Sequence, residues 1–130
     1  MSPTSRGTSI HLIAGLMLAL APVAAPAMTV DEFLLKAEAL KAKGMGAMFS
    51  PDFRVVVREV KSVATAYRAE LDGARSLGRT DLGCPPPKGT VKLTPTQFMS
   101  DFSAVPVAQR ATTSVKTVYY AMMRKRFPCG

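Results

Sequence analysis

The sequence predicts a single small all-α domain of about four helices, pinned by one disulfide and preceded by a signal peptide. Three observations carry this expectation. Apolar residues recur at helical spacing through most of residues 30–126, and proline and glycine punctuate the gaps between those stretches. The only two cysteines, Cys84 and Cys129, bracket the C-terminal third of the chain.

The export reading rests on residues 1–27. Arg6 is the only formal charge before an unbroken apolar run at 12–21, ten residues long. That is the size of a signal-peptide core and about half a membrane span. Ala25-Pro26-Ala27 closes the segment with an A-x-A cleavage pattern, leaving a mature domain at 28–130 of 103 residues. The competing readings are an uncleaved N-terminal anchor and a buried helix. No cysteine sits just after the run, so no lipid-attachment site stands there, and the mature chain is expected to hold no transmembrane segment. The expected compartment is the bacterial periplasm. There, two cysteines in so small a chain are most simply one disulfide.

The first helix, near 30–43, opens at Thr29 with Glu32 three residues on, the spacing of a capping box. Val30, Phe33, Leu34, Ala37 and Leu40 form its apolar stripe. Asp31 and Glu32 meet the positive end of the helix dipole, and Lys41 and Lys43 the negative end. Gly44 and Gly46 close it. The second helix, near 51–77, begins with Ser50 as N-cap and Pro51 in the first helical position. Phe53, Val56, Val57, Val60, Val63, Ala64, Tyr67, Leu71 and Ala74 keep the 3.6-residue period over about six turns. The period on both sides overrides the strand preference of Val55-Val56-Val57.

Residues 78–93 contain three glycines and three prolines and form a connection. Cys84-Pro85-Pro86-Pro87 within it is excluded from helix, because proline fixes φ and disfavours the α region in the residue before it. Thr94-Pro95-Thr96-Gln97 repeats the helix-start signal, giving a third helix near 95–105 with Phe98, Phe102 and Val105 on one face. A fourth helix follows Pro106 near 107–126, with Ala108, Ala111, Val115, Val118, Tyr119 and Met122 expected inward. Arg124-Lys125-Arg126 falls in its last turn, where the dipole favours cations. Phe127-Pro128-Cys129 stops it.

Cleavage removes His11, so the mature domain holds no histidine; the chain also has no tryptophan, and a disulfide leaves no free thiol. The usual general base near neutral pH and the commonest transition-metal ligand are absent, and no Ser-His or Cys-His nucleophile can be assembled. The nine acidic residues show no spacing that singles out a working pair. The expectation is a binding protein rather than an enzyme, with no cofactor and no metal. Sixteen basic residues against nine acidic give the mature part a charge of +7, which favours an acidic protein partner or an anionic envelope surface. Nucleic acid is scarce in that compartment.

Arg54, Arg58, Lys61, Arg68 and Arg75 lie on one side of the second helix, opposite its apolar stripe. They form a candidate strip for an acidic partner; the plainer reading is a solvated face. Gly44-Met45-Gly46 lacks the lysine-serine sequel of a phosphate loop and reads as a turn. Met45, Met48, Met99, Met122 and Met123 either fill the core or form an adaptable binding surface.

A family resemblance emerges from the C-terminal third. Cys84-Pro85-Pro86, Gly89-Thr90-Val91, Leu93-Thr94 opening a helix with Phe98, then Pro106, and a long helix ending Phe127-Pro128-Cys129 together resemble the C-terminal half of the Tai/Rap immunity proteins. Those are small helical periplasmic proteins that bind and block a cell-wall amidase delivered by type VI secretion, without chemistry of their own. The resemblance covers about 46 of 130 residues. It implies neutralisation of such an effector, with Cys84 and Cys129 as a structural disulfide. Members of that family commonly carry further cysteines in the N-terminal half, whereas residues 28–83 have none, and no effector-binding residue carries over. The alternative function is a general small envelope protein, chaperone-like or holding to anionic surfaces, with no immunity role.

Overall fold

The computed structural model describes residues 26–90 and 92–130; the expected signal peptide falls outside these residues except for its last two. The described chain folds as an all-α domain of five helices. Helix α1 is Val30–Lys43, followed by a 3₁₀ segment at Gly44–Phe49 and the long α2 at Pro51–Ser76. After the proline-rich connection come α3 at Pro95–Ser103, the single turn α4 at Val107–Arg110, and α5 at Val115–Arg126. Among the described residues there is no strand, only an isolated antiparallel bridge between Thr29 and Ser114.

Helices α1 and α2 form a hairpin with the 3₁₀ segment as its turn, and α5 packs along α2. The core is the set of apolar faces that meet there. Val30, Phe33, Tyr67, Leu71, Phe102, Val115 and Met122 are each at most 2 % exposed, so α1, α2, α3 and α5 share one hydrophobic centre. An aromatic chain threads it. Phe33 packs on Phe102 at 4.7 Å between ring centroids, Phe98 stacks on Phe102 at 4.7 Å, and Tyr67 meets Tyr120 edge-on at 5.1 Å.

The helix starts differ in detail from the sequence expectation. Thr94 and Gln97 make both bonds of the capping box, at 3.2 and 3.0 Å. Thr29 makes only its own half, accepting from the Glu32 N–H at 3.2 Å. Ser50 stands at the N-cap position of α2, but its buried hydroxyl makes no capping bond and accepts instead from Lys43 Nζ at 2.9 Å.

The expected fourth helix is two helices. Residues 111–114 interrupt it because their backbone is recruited elsewhere: Val30 N–H donates to Thr113 O at 2.8 Å, and Val115 N–H to Met28 O at 2.9 Å. Ser114 then caps α5, accepting from the Thr117 N–H at 3.1 Å. In consequence Ala108 and Ala111, expected inward, are exposed, while Tyr120 and Met123 join Val115, Val118 and Met122 in the core and Tyr119 is half-buried. Helix α3 stops at Ser103, two residues early. Arg110 folds back onto its end, Nη2 donating to the last helical carbonyl, Ser103 O, and Nε to Val105 O just beyond it, both at 2.9 Å.

Candidate binding surface

Cys84 and Cys129 are joined, with Cα atoms 5.0 Å apart. Four further contacts hold the connection against the helices at this clasp. Cys84 N–H donates to Phe127 O at 2.7 Å, and Tyr67 Oη donates to Leu82 O at 2.7 Å. Arg68 Nη1 donates to Pro86 O at 3.1 Å, and Arg75 Nη2 to Pro85 O at 2.8 Å. Proline leaves these carbonyls without a regular ladder to join, and the two guanidinium groups supply the donors. Gly83 makes the approach possible. At φ +85° it adopts a conformation glycine favours, and a Cβ there would stand 2.9 Å from Phe127 O and 3.2 Å from Arg124 Cα.

This geometry divides the expected cationic strip. Arg68 and Arg75 are structural, committed to the proline segment. Arg54, Arg58 and Lys61 are exposed, and their side chains make no hydrogen bond or ion pair with another described residue. Between α2 and the 93–99 segment lies an apolar groove of about 600 Å³, lined by Phe33, Val56, Val57, Val60, Leu93 and Phe98, with Lys61 also in its lining; Arg58 instead lines a separate hollow with Met28 and Glu32. Val57, expected on the buried stripe, is 44 % exposed here. Along α2 the apolar face is fully buried at Val63, Tyr67, Leu71 and Ala74, whereas Phe53, Val56 and Val60 nearer its start are half-buried.

The remaining charges are mostly paired. Arg126 binds the largely buried Asp101 and donates to Gln97 O at 2.9 Å, and Lys125 stands 3.7 Å from the same carboxylate. Two of the three terminal cations thus tie α5 to α3, beyond compensating the helix dipole. Lys116 pairs with Glu70 at 2.7 Å, lowering the carboxyl pKa of Glu70 and raising that of the ammonium. Arg79 similarly holds the Asp81 carboxyl below its ordinary value. Burial pushes the phenols of Tyr67 and Tyr119 upward.

The methionines split as well. Met122 and Met123 are buried and Met99 is half-buried, whereas Met45 and Met48 project from the 3₁₀ turn. Among the described residues no three His, Cys, Asp or Glu side chains gather as metal ligands, and no helix is long and apolar enough to cross a membrane. Comparison with family models, curated proteins and solved structures finds no match.

Proposed function

We propose that this protein is an exported, non-catalytic binding protein that neutralises a periplasmic effector in the manner of the Tai/Rap immunity proteins. The observation that carries the reading is an open apolar groove on α2 lined in part by the uncommitted Lys61, with two further uncommitted cations, Arg54 and Arg58, exposed on the same helix. An interface needs an apolar centre to drive association and a charged rim to select the partner, and this surface has both. The clasp supports it further, since the disulfide joins the two cysteines on which the family resemblance rests. The partner is an acidic protein, held by contact alone.

The test is protection. The full chain is co-expressed with a periplasm-directed product of the adjacent gene, and growth is followed. Relief of toxicity by the wild type, lost in an Arg54→Glu, Arg58→Glu, Lys61→Glu variant whose melting temperature is unchanged, supports the proposal. A variant that protects as well as the wild type removes the strip from it.

A further inference from the structure

Three strongly exposed large apolar side chains lie together at the turn of the α1–α2 hairpin. Met45, Met48 and Phe49 are 91, 67 and 88 % exposed, on a 3₁₀ segment of six residues. With three residues per turn, Met45 and Met48 share one side. Soluble surfaces rarely hold three such side chains in so short a stretch without a use for them.

The tip is also braced. Ser50 N–H donates to Ala47 O at 2.9 Å, the buried Ser50 hydroxyl accepts from Lys43, and Lys36 pairs with Asp52 at 3.1 Å across the base of the hairpin. The apolar side chains are therefore presented on a fixed support rather than on a loose loop. Lys41 stands in the last turn of α1 and Arg54 in the first turn of α2, so cations flank the tip on both arms. Of the acids nearby, Asp52 is neutralised by Lys36, and Glu38 lies about one turn behind Lys41.

We propose that this tip docks the protein onto an anionic lipid bilayer, Met45, Met48 and Phe49 entering the headgroup–acyl boundary while Lys41 and Arg54 meet lipid phosphates. Shape and charge select this occupant. A convex apolar point gains burial by entering a fluid interface, and flexible methionine adapts to one. Cations at the shoulders of the tip complement anionic headgroups, and the net positive charge of the domain acts in the same direction. The same charge opposes a second copy of this chain as the occupant. The proposal shares Arg54 with the effector reading but otherwise uses the end of the hairpin rather than the flank of α2, and the variants that test it change only the tip residues and Lys41.

The chain has no tryptophan, so Phe49→Trp in the full chain, recovered from the periplasm, places a single reporter at the tip. It is titrated with phosphatidylglycerol-containing vesicles and with phosphatidylcholine vesicles alone. The expected result is a blue shift with the anionic vesicles and quenching by lipids brominated in the acyl chain. Adding Met45→Ser and Met48→Ser weakens partitioning about tenfold, the scale of withdrawing two partly inserted side chains. Lys41→Glu, or high salt, also weakens it. The tip residues are exposed, so melting temperatures are expected to hold across the series. Three outcomes overturn the proposal: vesicle binding that leaves the tryptophan in water, a blue shift without lipid that disappears on dilution, or one that appears only with lipid-free envelope protein.

Discussion

Removing the disulfide tests the clasp most sharply. The bridge spans a sequence separation of 45, closing a loop that contains the connection and helices α3, α4 and α5. Chain-entropy arithmetic for a loop of that size gives about 4 kcal/mol at 25 °C. A domain near 100 residues loses about 4–5 °C of melting temperature per kcal/mol, so a Cys84→Ser, Cys129→Ser variant is expected to melt about 15–20 °C below the wild type. The hydrogen bonds around the bridge survive its loss, because Cys84 N–H, Tyr67, Arg68 and Arg75 keep their acceptors. Circular dichroism at room temperature should therefore be unchanged, and the deficit should appear only on heating. The assay is thermal unfolding of the wild type with and without reductant beside the double variant, in which reductant should do nothing. A wild-type shift below about 5 °C would refute the reasoning, since the unfolded chain would then be little constrained by the bridge.

Other expectations follow from single sites. Gly83→Ala forces a Cβ to 2.9 Å from Phe127 O at φ +85°, and is expected to cost about 2–3 kcal/mol in denaturant melts; a neutral result would mean that the connection can withdraw from α5. Asp101→Ala strips Arg126 of its carboxylate in a largely buried site, with an expected loss of about 2 kcal/mol. A change under about 0.5 kcal/mol would class the pair with ordinary surface bridges. The raised pKa values of Tyr67 and Tyr119 mean that folding favours their neutral forms. The stability they contribute is complete below the unfolded tyrosine value of about 10 and is lost as pH rises through the folded values. Melting temperature should fall in that window together with the rise of tyrosinate absorbance. Phenols that titrate near pH 10 with no loss of stability would contradict this.

Much of the architecture was legible because its signals are local. Ser50-Pro51 and Thr94-Pro95 mark helix starts through proline chemistry alone, and the 3.6-residue period of α2 outweighs its valine run. The break at 111–114 was not legible in the same way. Its cause is a pairing between Met28–Val30 and Thr113–Val115, residues more than eighty apart, although Thr112-Thr113-Ser114 carried a local N-cap signal that the continuous apolar period masked. Helical phase groups five cations on one side of α2, but phase says nothing about what the other end of each side chain meets. Arg68 and Arg75 reach proline carbonyls ten or more residues away, and only the three-dimensional course of the connection shows it. Nothing in the sequence distinguishes Gly83 from the other two glycines of the connecting segment, because its importance lies in a close approach to the end of α5. The tip is the converse case. Gly44-Met45-Gly46 was legible as a turn, yet the exposure of Met48 and Phe49 depends on how the hairpin is braced.

The central claim is neutralisation by binding, and growth under co-expression tests it most directly. With this chain exported beside the periplasm-directed product of the neighbouring gene, the account expects growth to be restored and the two proteins to co-purify in fixed ratio. Continued toxicity with every neighbouring candidate, while this protein accumulates folded in the periplasm, would contradict it.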